Sequence, residues 1–316
     1  MEHAYSSTTI AGIDVGKFTL DAALPNSAST LQVNNDAQGI GRLLDWLVGN
    51  GVTRVGVEAT GGYERKLRSV LEAQGVQVLV HQPSEVRSYG RFSRVHAKTD
   101  AGDARLIAAA TAATSRTAKR ADPELIELSE RLVAYEHISD QLMRLRTFKQ
   151  SLATADLLEL IIIQIEHLKA LKARLSRQLI MAIKASARLK TRYDLLVSLP
   201  GIGPIIAASL VVTMPELGSM DRGQPASLLG VAPHARDSGQ HKGLRFISGG
   251  RSRPRRMLYL AALTARRYDK GLNSFADRLR TAGKPPKLVI VAIMRKLIEA
   301  ANLVLKRNQP WTVKPQ

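Results

Sequence analysis

The stretch TTIAGIDVGKFTLDAAL at residues 8–24 decides the fold class of this chain. Its first half is a short run of β-branched and apolar residues, and its second half alternates apolar with polar residues, which predicts the two strands of a hairpin. A third strand is predicted at 29–35. Further along the chain, helices are predicted at 37–48, at 63–72, from 83 and at 101–113. Strands are predicted between them at 52–57 and 76–80. We therefore predict a mixed α/β domain over residues 1–120.

The segment 121–190 follows a different pattern. It contains no glycine, and its leucines and isoleucines recur at steps of three and four residues, with Glu, Lys and Arg between them. This pattern predicts a helical coiled-coil connector with a break near residues 151–155. Two interpretations stay open, because periodicity does not separate a helical hairpin within one chain from an arm that joins two chains.

The net charge of +19 is concentrated at one end of the 316 residues. Residues 186–316 contain 23 Lys and Arg against 7 Asp and Glu, which gives +16, whereas residues 1–185 contain 23 against 20, which gives +3. A one-sided excess of this size is costly in self-repulsion unless a polyanion neutralises it. We therefore predict that the C-terminal part of the chain binds nucleic acid.

The composition also excludes several classes of protein. The chain has no cysteine, which excludes a disulfide framework, a cysteine-based zinc site and thiol catalysis. It opens without the pattern of a signal peptide, and its longest apolar stretch, at 195–214, is interrupted by Pro-Gly-Ile-Gly-Pro. Aromatic residues make up only 4% of the chain, too few to favour a membrane-surface helix. We expect a soluble, cytoplasmic protein with no membrane partner.

Residues 191–316 predict a mostly α-helical, basic domain. The segment LPGIGP at 199–204 is typical of a helix-hairpin-helix, in which Gly201 and Gly203 would let backbone N–H groups approach a DNA phosphate. An ordinary tight turn between core helices is the alternative. A later helix is expected to pack through Leu258, Leu260 and Leu263. Its start offers four arginines to phosphate, namely Arg251, Arg253, Arg255 and Arg256.

Four carboxylates carry the candidate chemistry of the N-terminal domain. Asp14 and Glu58 each end a strand, while Asp100 and Asp103 open a helix at a spacing that puts both on one helical face. Strand ends of one sheet converge, so the four could meet, and oxygen-only ligands suit Mg²⁺ or Mn²⁺. A pair of such ions is a standard device for in-line phosphoryl displacement. Each acid alone also has a structural explanation, as a turn residue, an exposed strand end or a helix cap.

The order of these acids resembles that of a RuvC-like, RNase H-type DEDD nuclease domain. More specifically, the chain resembles the insertion-sequence 110 family of DEDD transposases, which are similar to Piv-type DNA invertases. The resemblance spans residues 10–312 and rests on seven segments, GIDVGK, GVEATGGY, KTDAGDARLIA, LPGIGP, GVAPHARDSGQHKG, GGRSRPRRMLYLAAL and GKPPKLVIVAIMRKLIEAANLVLKRNQPW. It implies three parts, which are a DEDD domain at 1–120, a helical arm at 121–190 and a transposase domain at 191–316.

The resemblance also implies a serine nucleophile, which acts with the acidic site and forms a phosphoserine link to DNA. The family's serine lies in an x-Ser-Gly motif after a Gly-x-x-Pro turn, which makes Ser238 the candidate and Ser248 its nearest rival. Arg236, Lys242 and Arg245 would hold the scissile phosphate. Without the resemblance, the Arg-Asp-Ser-Gly segment around Ser238 has the composition of an ordinary turn.

The partners implied by the resemblance are donor and target DNA, a noncoding bridge RNA, and further copies of the chain in a homodimer or homotetramer. The protein would act in the bacterial cytoplasm, at the nucleoid. Three other hypotheses stay open. One is a Holliday-junction nuclease that uses only the acids, another is a non-catalytic nucleic-acid-binding protein, and the third is an actin-like ATPase, which would leave the C-terminal charge unexplained.

Overall fold

The computed structural model describes residues 9–25, 27, 29–93, 100–116, 122–235, 243 and 245–312, without the side chains of Asp100 and Ala101. The chain forms two compact units, Met1–Asp122 and Pro123–Gln316. The described part of the first unit is a β-sheet with helices, and that of the second is helical apart from an isolated bridge between His234 and Phe246. The prediction of a mixed α/β domain followed by a mostly helical remainder is confirmed.

The N-terminal unit is built on a mixed sheet with the strand order β3-β2-β1-β4-β5. Strands β1, β4 and β5 are parallel, while β2 and β3 are antiparallel to their neighbours. Its elements lie within two residues of their predicted positions. They are β1 (Thr9–Val15), β2 (Thr19–Ala23), β3 (Thr30–Asn34), α1 (Ala37–Gly49), β4 (Val52–Glu58), α2 (Glu64–Ala73), β5 (Gln77–His81), α3 (Pro83–Phe92) and α4 (Asp100–Ala112).

Different helices cover the two faces of the sheet. Ile13 and Val57 belong to a core with Leu43 of α1 and Leu67 of α2. The opposite face is covered by α4, which passes so close to β1 that a Cβ atom at Gly12 would overlap the backbone of α4. Glycine is therefore required at this crossing of strand and helix.

The C-terminal unit is organised around α8, whose residues from 206 to 212 are all buried. A helix that is apolar on every side belongs in the centre of a core. The helices of this unit are α5 (Pro123–Lys149), α6 (Ala155–Ala185), α7 (Ala187–Val197), α8 (Pro204–Thr213), α9 (Gln224–Leu229), α10 (Ser252–Tyr268), α11 (Lys270–Thr281) and α12 (Pro286–Arg307).

Helices α5 and α6 pack against each other as a hairpin, with Leu142 of α5 beside Ile165 and Leu168 of α6. Their connection at residues 150–154 confirms the predicted break. The hairpin within one chain is thus observed, and the joining of two chains through it stays a prediction.

One expectation about α10 is wrong. Leu258 is buried, but Leu260 and Leu263 are 52% and 42% exposed. The buried face instead runs through Ala261 and Ala265, because small residues allow α10 to approach its neighbours closely.

Candidate metal centre and nucleic-acid surface

Asp14 and Glu58 lie at the carboxyl ends of two neighbouring parallel strands, which form one edge of the sheet, and on one face of it. Strands β1 and β4 are parallel, with Ile13 paired to Val57, so Asp14 and Glu58 follow that pair on neighbouring strands. Side chains alternate between the faces of a strand, and Gly12 faces α4. Asp14 therefore shares the α4 face with Gly12, and by the same alternation Glu58 shares it with Gly56, whose added Cβ would meet Thr111 of α4.

The first turn of α4 lies at the same edge. Arg54, near the start of β4, donates hydrogen bonds to the carbonyl oxygens of Thr114 (3.2 Å) and Arg116 (2.6 Å), just beyond the end of α4. Helix α4 therefore runs antiparallel to β4. Its start, which carries Asp100 and Asp103, lies at the carboxyl ends of β1 and β4.

A divalent cation fits the chemistry of this edge, because every predicted ligand offers only carboxylate oxygens. Asp14, Glu58 and Asp103 are all partly buried, and the side chain of Asp100 lies outside the described residues. Among the residues that the structure describes, no three His, Asp or Glu side chains lie close enough together to hold a metal ion. The metal role of the four acids therefore stays a prediction.

Sequence reasoning missed two further polar side chains in the same row. Asp21 of β2 pairs with Asp14, and His81 of β5 pairs with Glu58, so a polar row crosses four strands on the α4 face. Asp21 and His81 are 8% and 3% exposed. The available signal was the alternation of β2, in which Leu20 and Ala22 are apolar and Asp21 occupies the opposite face.

His81 connects the sheet to α4. Its Nε2 lies 2.9 Å from the hydroxyl of Thr111, which itself donates to the carbonyl oxygen of Ile107 (2.7 Å). The hydroxyl hydrogen is thus in use, so Nε2–H of His81 is the donor. Burial lowers the pKa of His81, and the positive charges of Arg116 and Arg54 lower it further against the opposing effect of Glu85.

The loop after Glu58 is fixed by Glu64 at the start of α2. Its carboxylate accepts hydrogen bonds from the backbone N–H groups of Thr60 (3.2 Å) and Gly62 (2.9 Å) and from the hydroxyl of Thr60 (2.8 Å). Burial alone would raise the pKa of Glu64, but these hydrogen bonds, with one from its own N–H, outweigh that effect and lower the pKa. We call the sheet edge that carries Asp14 and Glu58 the acidic edge. The loop beside it is therefore held by an ionised carboxylate.

In the C-terminal unit, Ser238, Arg236 and Lys242 lie outside the described residues. The base of this segment, by which we mean residues 230–235 and 245–250, is described. Arg255 donates hydrogen bonds to the carbonyl oxygens of Gly230 (3.2 Å) and Gly249 (2.7 Å), which holds the two ends of the segment between them together. The rival Ser248 is exposed at this base, as is Arg245.

The four arginines at the start of α10 have internal partners that sequence reasoning missed. Arg251 binds the carboxylate of Glu216 through two hydrogen bonds (2.8 and 2.6 Å). Arg253 binds the buried carboxylate of Glu136 (2.7 Å), and Arg256 lies 3.4 Å from Asp140. Arg255 bonds to the base of the segment described above, so all four stabilise the position of α10. Their contact with phosphate stays a prediction.

The two glycines of the predicted helix-hairpin-helix differ in environment. Gly201 has a positive φ of 74°, and an added Cβ would overlap the backbone of α10 at Ala261. Close packing against α10 therefore explains why residue 201 is a glycine. Gly203 is the N-cap residue of α8, and an added Cβ there would meet no atom within 4 Å. Its phosphate contact stays a prediction.

Matches to known proteins cover most of the chain. A family model of DEDD transposases of the IS110 type matches residues 11–156, and the model described as the transposase IS116/IS110/IS902 family matches residues 193–277. The chain is 29% identical over 330 residues to the pilin gene-inverting proteins of Moraxella lacunata and Moraxella bovis, over 96% of this chain and 98% of each relative. It is also 32% identical over 124 residues to a 42 kDa protein of insertion element IS900 of Mycobacterium paratuberculosis, over 36% of this chain and 29% of that protein.

The two family models match separate parts of the chain, one in each half, and the inverting proteins match 96% of it. No helix among the described residues is long and apolar enough to cross a membrane. This protein belongs to the IS110 family of transposases, enzymes that cleave and rejoin DNA.

Proposed function

We propose that the chain recombines donor and target DNA through the acidic edge of its RuvC-like domain and a serine of its C-terminal domain. The observation that carries the proposal is the convergence of Asp14, Glu58 and the start of α4 on one face of one sheet edge. Asp14, Glu58, Asp100 and Asp103 would hold Mg²⁺ or Mn²⁺. A divalent cation bound there would neutralise charge on the scissile phosphate.

The proposed nucleophile is the hydroxyl of Ser238. Its oxygen forms a bond to phosphorus while the bond from phosphorus to a deoxyribose oxygen breaks, and the proton lost by the serine balances the one gained by the released hydroxyl. Reversal of this step with a different strand rejoins the DNA. Arg236, Lys242 and Arg245 would orient the phosphate, and Arg255 holds Gly230 and Gly249 together at the base of the segment that contains them.

Binding of nucleic acid to the C-terminal unit is supported by a groove of about 1790 Å³. Apolar side chains such as Phe275, Leu288 and Trp311 line it beside seven cations and two acids. Cations suit phosphates, and apolar or aromatic surfaces suit bases. The cations are Arg222, Arg245, Lys287, Arg295, Lys296, Lys306 and Arg307. The helix-hairpin-helix role of Gly203 and guidance by a bridge RNA belong to the same proposal.

Assembly into a homodimer or homotetramer through the α5–α6 hairpin is also part of the proposal. Large apolar side chains near its turn are exposed, among them Phe148 (50%), Leu160 (62%) and Ile163 (60%). Apolar groups grouped on one surface favour contact with a partner. A second copy would bring the second active site that exchange of two duplexes requires.

The experiment that tests the proposal is the trapping of a protein–DNA adduct. The protein is mixed with end DNA of its element, the co-transcribed noncoding RNA and Mg²⁺, then denatured and run on a gel. We expect a covalent band for wild type and for Ser248→Ala, and none for Ser238→Ala or Asp14→Ala. Cleaved DNA without an adduct in any lane would overturn the serine nucleophile and leave an acid-only nuclease.

A further inference from the structure

Asp21 lies directly across from Asp14 in the antiparallel pair of β1 and β2. Leu20 and Ala22, its neighbours on β2, belong to the core on the α1 side, so alternation places Asp21 on the α4 side. Side chains opposite each other in such a pair have Cβ atoms about 5 Å apart. Asp21 thus belongs to the acidic edge, although it is not one of the four acids described above.

Asp21 is also buried. It is 8% exposed, and its Oδ1 accepts a hydrogen bond from Nε2 of Gln32 (2.7 Å), its neighbour on β3. The amide of Gln32 fixes the orientation of this carboxylate. Burial of a carboxylate is costly, and like charges directly opposite in a sheet repel each other.

We propose that Asp21 is a positioning residue of the acidic site, which strengthens the binding of a divalent cation through the negative charge it places opposite Asp14. The inference rests on the proposed function, because it assigns a fifth carboxylate to the same site. The negative charge of Asp21 acts at a distance on the cation and on its ligand Asp14, and Asp21 does not itself bind the ion. A charge at this separation in a partly buried site changes cation affinity by a factor on the order of ten.

The test measures Mn²⁺ binding to the full chain in the absence of nucleic acid, from the loss of the free-ion signal in electron paramagnetic resonance. Asp21→Asn removes the charge and keeps the oxygen that Gln32 contacts. Asp45→Asn is the matched control, because Asp45 is exposed on α1, which covers the other face of the sheet. Circular dichroism at the temperature of measurement shows that each variant is folded, and Asp21→Ser takes the place of Asp21→Asn if that variant is not.

We expect the dissociation constant for Mn²⁺ to rise about tenfold in Asp21→Asn and to stay unchanged in Asp45→Asn. A purely structural role would lower the unfolding temperature in EDTA and leave the affinity of the folded protein unchanged. Wild-type affinity in Asp21→Asn, whatever its unfolding temperature, overturns the inference.

Asp14→Asn separates this inference from the proposed function. If Asp14→Asn loses Mn²⁺ binding while Asp21→Asn keeps it, only the role of Asp21 is wrong. If wild type shows no binding, or if Asp14→Asn binds as wild type does, the proposed metal site itself is wrong and the role of Asp21 falls with it.

Discussion

At the scale of single residues, Gly12 sets the distance between the sheet and α4. A Cβ atom there would overlap the carbonyl oxygen of Ala104 and the nitrogen of Ala108, both of which belong to the helix backbone. Backbone cannot move aside as a flexible side chain can, so Gly12→Ala must displace α4, and Asp103 with it. We expect a loss of about 3 kcal/mol in the free energy of unfolding of the N-terminal unit, measured by urea titration.

The matched control is Gly41→Ala in α1, where no atom lies within 4 Å of an added Cβ. Alanine in place of glycine within a helix stabilises it by about 0.5–1 kcal/mol, so this variant should be slightly more stable than wild type. Equal stabilities for the two variants would contradict the close approach of α4 to β1.

At the scale of elements, His81 makes the contact between β5 and α4 sensitive to pH. Its pKa in the folded protein is lowered, chiefly by burial, so the unfolded chain binds more protons over the pH range between the two pKa values. The free energy of unfolding must therefore rise with pH across that range. We expect the N-terminal unit to lose stability as the pH falls through about 6.5, the ordinary pKa of histidine.

His81→Asn removes the titrating group, so its free energy of unfolding should lack this slope when urea titrations are compared between pH 5 and pH 8. The lowered pKa values of Glu64 and Glu85 act in a separate, more acidic range, because stability from a carboxylate is lost as the pH falls through its folded pKa. A slope near pH 6 that persists in His81→Asn would show that another group is responsible.

The elements also show where sequence reasoning succeeds. The N-terminal strands and helices could be predicted because their apolar residues recur with clear periods, and Asp14 and Glu58 could be found because each ends such a strand. The internal partners of the arginines could not, since Arg253 and Glu136 are 117 residues apart in sequence. Asp21 was missed for a related reason, because the role proposed for it depends on the register that pairs it with Asp14.

At the scale of the whole molecule, the proposed function gives the charge of +16 on residues 186–316 two uses that sequence alone does not separate. Some cations hold the C-terminal unit together, as Arg255 does through its hydrogen bonds to Gly230 and Gly249. Others, such as Lys287 at the start of α12, are exposed and line the basic groove. If DNA binds in this groove as proposed, only the second kind releases counterions on binding.

The salt dependence of binding to nonspecific duplex DNA distinguishes these uses. Loss of one phosphate contact lowers the slope of log affinity against log salt by about one, so we expect that change in Lys287→Ala. Arg255→Ala should leave the slope unchanged and should lower the free energy of unfolding by about 1–3 kcal/mol, because two carbonyl oxygens lose a charged donor. A slope lowered in Arg255→Ala and unchanged in Lys287→Ala would reverse the assignment and place the DNA on the arginines of α10.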